Sequence, residues 1–325
     1  MYYDIYYFWR EIMIAIFIGV LSAFFFSLTF LLNQLMSFTG GNWLWTASLR
    51  FLFMLPLFII AVAIQKNCSF SRIYYAIKER WQSWIIWSNV AFVLFYIPLS
   101  FASTLSPAWL IASTWQLTII SGSLLAPYIE ETPQKRKDSR ITKHDLFCFG
   151  IILTGIAVIE FQQISFKNNT SFLFMALILM VVAAISYPLG NRKIMKINKG
   201  EYYLSTGERI LAMLICSAPV WVLCSIIGYS QSGLPSQDQL IMSLSVAFFS
   251  GFIATYLFFF ATHLAHKNIR QLASVEATQS LEVIFTIVLG IVFLGDTLPN
   301  IGKIIGISLV LLGMVLKVLK INYQR

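Results

Sequence analysis

Glu282 is the side chain of this sequence best placed to do chemistry, because it is a carboxylate in the middle of an apolar run. It stands ten residues into the stretch Leu272–Leu294, which is ~15 Å along a helix and near the centre of a ~30 Å hydrocarbon layer. An ionised carboxylate at that depth costs ~2.5–3.5 kcal/mol. It must face a cavity, pair with a cation or hold a proton. Each of these suits proton coupling or cation binding, and a protonated acid bonding two helices together is the structural alternative. Thr278, Gln279 and Thr286 fall on or beside the same helical face, giving one polar stripe in an apolar segment. Such stripes line cavities or helix contacts more often than they face lipid. Glu276 sits about one turn inside the end of the stretch, where Arg270 or Lys267 can neutralise it.

Gln116 lies at a similar depth in another apolar stretch, beside Trp115 and near Ser113, Thr118 and Ser121. Trp115 offers either a cation–π face to a lipophilic cation or packing bulk. Arg50 and Arg209 also fall inside apolar stretches, so each needs a partner or an aqueous route. Glu208 is next to Arg209, but adjacent helical residues point apart. Intramembrane pairing, snorkelling and anion binding remain open roles for these charges. Asn33, Gln34 and Asn89 are further cavity-lining candidates.

Ten apolar stretches position these residues: Ile12–Met36, Trp43–Gln65, Trp84–Thr104, Ala108–Tyr128, Leu146–Gln163, Ser171–Gly190, Ser205–Ile227, Leu240–His263, Leu272–Leu294 and Asn300–Lys320. Each is long enough to cross a bilayer as a helix. With 58% hydrophobic and 11% charged residues, the chain has too little polar surface for a soluble globule of its length. The fold expected is an all-α polytopic membrane protein. Its longest connections run to only some fifteen to twenty residues, so no separate catalytic domain is expected. The first stretch lacks a cleavage pattern and reads as a retained helix.

Basic residues alternate between connections. Lys66, Arg72, Lys78 and Arg80 follow the second stretch, Lys135, Arg136, Lys137, Arg140 and Lys143 the fourth, Arg192, Lys193, Lys196 and Lys199 the sixth, and Lys267 and Arg270 the eighth. The other connections carry only Lys167 and, at a helix edge, Lys303. This bias predicts a multi-pass inner-membrane protein with both termini cytoplasmic. The net charge of +9 then reflects topology and contact with anionic lipid, with no nucleic-acid partner. Trp43, Trp45, Trp81, Trp84 and Trp87 cluster near stretch ends, as an interfacial aromatic belt would. Pro56, Pro98, Pro188 and Pro219 interrupt stretches and can kink them.

Five stretches per half is an odd number, so the second half enters the membrane from the opposite side and the halves form inverted repeats. The expected units are residues 1–165 and 166–325. Gln116-Leu117 precedes Glu130 by the same interval as Glu282-Val283 precedes Asp296, an offset of 166. Cys148 and Gly155 match Gly306 and Gly313 at an offset of 158, and Arg50 matches Arg209.

Catalysis has no support. HExxH, GxSxG, Walker A and dinucleotide fingerprints are missing, and His144, His263 and His266 have no carboxylates at ligand spacing. The four cysteines lack CxxC or Cys/His metal spacing and read as packing residues. No cofactor or metal is expected. Gly302 and Gly306 form a GxxxG pair suited to packing against another helix or, in a homodimer, a second copy.

Ser22–Phe53, with its small and aromatic residues, the Gly40-Gly41 turn and Ser48-Leu49-Arg50-Phe51-Leu52, resembles the opening of the drug/metabolite transporter superfamily. So does Leu281-Glu282-Val283-Ile284-Phe285, followed by Leu294-Gly295-Asp296 and the glycines 302, 306 and 313. The superfamily's usual forms there are Glu-Pro and Leu-Gly-Glu. Ten helices, aromatic richness and the basic fourth-to-fifth connection resemble its multidrug resistance efflux branch most. That resemblance implies a secondary-active transporter, exporting small lipophilic or cationic compounds by proton-coupled alternating access. Small multidrug exporters of the superfamily use a glutamate in the first helix. Neither the first nor the sixth stretch here has an acid, so the role passes to Glu282 or the mechanism differs from the familiar antiport. Two other readings stand beside this one. One is a facilitator or symporter for a polar metabolite such as an amino acid, bound by Gln116 and Gln279; the other is a non-transporting membrane subunit.

Overall fold

The computed structural model describes residues 2–129, 140–166, 170–265, 275 and 278–321. Glu130, Lys135, Arg136, Lys137, Lys267, Arg270 and Glu276 lie outside the described residues. Within them the chain is helical, with no strand. The helices are α1 (Tyr2–Phe38), α2 (Trp43–Ile64), α3 (Phe70–Glu79), α4 (Trp81–Leu105), α5 (Ala108–Ile129), α6 (Lys143–Phe166), α7 (Thr170–Ile197), α8 (Thr206–Ser232), α9 (Gln237–Leu264), α10 (Thr278–Leu294) and α11 (Ile301–Ile321). Seven of these, α1, α2, α4, α5, α7, α8 and α9, are long and apolar enough to cross a membrane. α10 is a shorter apolar helix, and α6 and α11 are 24 and 21 residues long.

Local sequence explains where the helices begin and end. The Asn42 side chain accepts a hydrogen bond from the Leu44 N–H at the start of α2, and Ser236 does the same for Gln239 in α9. Ser205 and Glu208 form a reciprocal capping box at the start of α8. These caps satisfy N–H groups that the first turn of a helix leaves without partners. α10 ends at Gly295, whose φ of 66° is a left-handed conformation that glycine adopts without a Cβ clash.

α6 and α11 pack face to face through small residues. A Cβ on Gly306 would stand 2.8 Å from the Gly155 carbonyl oxygen, and one on Gly313 would stand 3.0 Å from that of Cys148. The backbones therefore touch along a seam that tolerates no side chain. Gly306 is thus taken up within the chain, by α6. The other principal pairings are α2 with α8, α4 with α7 and α1 with α9, followed by α5 with α7, α1 with α10 and α2 with α9. Three helices contain π-helical segments: α4 at Asn89–Val93, α9 at Val246–Ala254 and α10 at Gly290–Leu294. No sequence signal announced these, although π segments frequently mark functional regions.

Two of the five tryptophans depart from the expected belt. Trp84 is 1% exposed and packs in the main apolar cluster, while Trp45 is buried with its indole N–H donating to the Gly233 carbonyl at 3.0 Å. Helix neighbours, not the lipid interface, hold these two rings. Trp81 is exposed.

Candidate functional site

A cavity of about 440 Å³ lies among the helices, and the seven membrane-length helices, together with α10 and α11, contribute to its wall. Its size is that of a small-molecule site. Phe95, Trp115 and Tyr187 form one side, each ring centroid 4.9 to 5.5 Å from the other two. Phe51, Phe92, Phe258 and Phe259 add further aromatic surface.

Glu282 lines this cavity and is buried. Its carboxylate makes no hydrogen bond or ion pair to any described residue. It sits in the first turn of the α-helical part of α10, after a 3₁₀ turn at Thr278–Ser280. Gln116 is buried in the same wall, where α5 also tightens: its N–H bonds the Ser113 carbonyl and its carbonyl accepts from the Ile119 N–H, at 3.2 and 3.1 Å. The backbone is irregular beside Glu282 although Val283 stands where the superfamily's usual form has proline. Trp115 and Gln279 line the cavity too, and the Gln279 amide donates to the Gly19 carbonyl at 3.3 Å.

Thr278 and Thr286, expected on the same polar stripe, do not line it. Thr278 packs against Gly19 of α1 and donates to the Val275 carbonyl, and Thr286 donates to the Glu282 carbonyl. Both hydroxyls are satisfied by backbone. Glu276 lies outside the described residues.

The charges expected to pair within the membrane separate. Arg50 is 7% exposed and lines the cavity. Its Nη1 donates to Thr29 Oγ1 at 3.1 Å and its Nη2 to Ser250 Oγ at 3.2 Å. The guanidinium also stands 4.3 Å from the centre of the Tyr96 ring. Its buried Nε has no hydrogen-bond partner. Arg209 lines the cavity 5.4 Å from the Phe259 ring centre, with no side-chain hydrogen bond or ion pair to a described residue. Glu208 turns away from both arginines. Its carboxylate accepts from the backbone N–H groups of Ser69 and Ser205, each at 2.8 Å, and stands 3.6 Å from Arg72 Nε. It therefore ties the connection after α2 to the start of α8.

Sequence reasoning missed Arg192, counted only toward topology, and Lys317 as cavity residues. Arg192 lies four residues after Pro188, inside α7 and not beyond it, and Lys317 bonds Ser123 and the Ile119 carbonyl of α5. A count of charges near helix ends cannot tell a cavity mouth from a lipid-facing rim. Tyr187 and Ser250 carried no signal at all. Asp296 stays outside the cavity. Its carboxylate lies against Gly290, burial pushes its carboxyl above its ordinary value, and the Lys303 ammonium opposes that shift.

The opposite end of the bundle is closed by hydrogen bonds. The Tyr96 hydroxyl donates to Asn33 Oδ1 at 3.0 Å, and Gln34 Oε1 accepts from the Ala108 N–H at 2.5 Å. The Ser100 hydroxyl donates to the Trp43 carbonyl at 3.0 Å, and Gln239 donates to the Asn42 carbonyl and Thr46 hydroxyl at 2.8 and 3.0 Å. Asn33 and Gln34, read as cavity candidates, are clasps between helices instead. The Asn89 amide donates to the Ile85 carbonyl of its own helix.

Comparison with known proteins agrees with this architecture. Residues 13–323 match the EmrE family, described as "Putative multidrug resistance efflux transporter". The chain is 40% identical over 307 residues to uncharacterized protein YjlA of Bacillus subtilis (strain 168), covering 93% of each. It is 42% identical over 274 residues to an uncharacterized 42.1 kDa protein of Shouchella clausii, covering 83% of this chain and 70% of that one. A solved crystal structure with 15% identity superposes with a TM-score of 0.62 over 95% of this chain and 98% of its own, which concerns the fold alone. The chain belongs to the EmrE family of multidrug resistance efflux transporters, within the drug/metabolite transporter superfamily: it is a multi-pass membrane transporter and not an enzyme.

Proposed function

We propose that this protein is a secondary-active transporter that exports small lipophilic compounds by alternating access, with Glu282 as the proton-carrying site. The observation that carries the reading is a buried carboxylate in an aromatic cavity, with no protein partner among the described residues. A group with no structural bond to lose can change its protonation without unpicking the fold. Of the cargo classes the sequence suggested, the aromatic walls suit a lipophilic one. A cationic cargo is supported least, since among the described residues Arg50, Arg192, Arg209 and Lys317 line the cavity with a single acid.

Alternating access needs two halves that rock around the site, and inverted repeats at 1–165 and 166–325 would supply them. The α6–α11 seam supports this arrangement. Gly155 meets Gly306 and Cys148 meets Gly313, so each residue touches the counterpart of its neighbour's partner, as a two-fold axis demands. The pairing of α1 with α9 and of α7 with α4 obeys the same exchange. The π segments begin at Asn89 and Val246, a spacing of 157, close to the 158 that relates the glycines.

Charge bias puts the end bearing Arg72, Arg80 and Arg192 in the cytoplasm, with both termini on that side of the inner membrane. The clasped end then faces outward, and the conformation is inward-facing. A second reading, a facilitator or symporter for a polar metabolite, is favoured by the two amides, Gln116 and Gln279, in the cavity wall.

Glu282→Gln separates the readings. The amide matches the protonated acid in shape but releases no proton. Transport driven by a pH gradient in proteoliposomes is expected to fall to background while insertion and melting temperature stay unchanged. Full gradient-driven transport by the variant would remove Glu282 from the mechanism, and transport by the unaltered protein that ignores the pH gradient would favour the facilitator.

A further inference from the structure

The charge of the cavity calls for a ligand of the opposite sign. Arg50 is more than nine-tenths buried, and its bonds go to two hydroxyls and an aromatic face. Neither hydroxyl supplies the negative charge that a guanidinium in a low-dielectric site requires. Its Nε, also buried, bonds nothing. Arg209, from the equivalent place in the second half, stands 5.4 Å from the Phe259 ring centre and near the Tyr187 and Tyr203 hydroxyls, and Glu282, the acid in the same cavity wall, bonds neither arginine. The acid nearest in sequence, Glu208, is committed to two backbone N–H groups and Arg72. Two arginines kept only to hold the bundle together would be expected to take such a carboxylate. Here the carboxylate is spent elsewhere and the arginines face the cavity.

We propose that the cavity binds an organic anion with a planar aromatic body, its carboxylate held by Arg50 and Arg209 and its ring against Phe95, Trp115 and Tyr187. Guanidinium–carboxylate pairing is charge-assisted and directional, and the aromatic wall rejects a small, fully hydrated inorganic anion. A volume of about 440 Å³ admits one bicyclic ring system with its substituent. The inference rests on the transporter reading only for the consequence that the bound anion is moved.

The test is equilibrium binding to the full chain in nanodiscs, with 1-naphthoate and 1-naphthylmethylammonium as probes that share a ring and differ in the sign of charge. Naphthoate is expected to bind and the ammonium to bind at least tenfold more weakly. Arg209→Gln is expected to weaken naphthoate at least tenfold, with Arg209→Lys retaining part of the affinity. Equal or tighter binding of the ammonium would overturn the proposal, and this arm needs no variant. So would an unchanged naphthoate affinity in a folded Arg209→Gln protein. Proteoliposomes keep the two readings apart. Naphthoate that binds but is never transported counts against the transporter reading and leaves the anion site standing. Transport of the ammonium without naphthoate binding does the reverse.

Discussion

The two ends of the helix bundle solve opposite problems with similar residues. At one end Gln34, Ser100, Gln239, Trp45 and the Oδ1 of Asn33 bond neighbouring helices, and the bundle is closed, although Asn33 Nδ2 is buried without a partner among the described residues. Toward the other, Gln116, Glu282, Arg50 and Arg209 line a cavity, and the carboxylate and the Arg50 Nε bond no described residue. A polar group inside a membrane protein is therefore not informative by its presence. What it bonds decides whether it is a clasp or a site, because a satisfied group resists change and an unsatisfied one invites a ligand.

Which end faces which compartment is the largest effect to check, since the outcome is all or none. In a background lacking the four native cysteines, Gly233→Cys is expected to react with an impermeant thiol reagent added to intact cells. Arg140→Cys is expected not to react. Reaction at position 140 from outside would reverse the orientation and make the clasped end cytoplasmic.

Opening the clasp comes next. Gln34→Leu removes the acceptor for the Ala108 N–H at the start of α5. Leaving a buried donor unmet costs ~1–3 kcal/mol, and ~1.4 kcal/mol is tenfold in an equilibrium. The population opened at the clasped end should rise about tenfold, read as faster labelling of Leu99→Cys from that side. An unchanged rate would mean that this bond does not hold the end shut.

Trp45→Phe is the gentler version. It keeps the ring but loses the indole N–H donated to the Gly233 carbonyl between α2 and α8. One such bond contributes ~0.5–1.5 kcal/mol net, so the same labelling rate should rise a few-fold, less than with Gln34→Leu. A larger effect than Gln34→Leu would place the main clasp between α2 and α8 and not between α1 and α5.

Much of the helical framework was legible in the sequence. The stretch Ala108–Tyr128 corresponds to α5, Leu240–His263 to α9 and Asn300–Lys320 to α11, with ends differing by a few residues. Part of the candidate site was legible too, since Glu282, Gln116, Trp115 and Gln279 share one cavity. Thr278 fell on the right helical face yet packs on Gly19, because α1 approaches α10 closely there. Helical spacing gives a direction around one axis but not the neighbour found in that direction.

The sequence by itself determined what one dimension can encode. Apolar length specifies a membrane helix, because unmet backbone groups are forbidden in hydrocarbon, and the run of basic residues specifies which connections share a side. Only the tertiary structure decided the partners. Glu208 went to Arg72 and two backbone amides, Asn33 to Tyr96, and Arg192 and Lys317 into the cavity wall. The physical reason is range: hydropathy acts on each segment alone, whereas a hydrogen bond or an ion pair needs two atoms within a few ångströms, brought there by helices far apart in the chain.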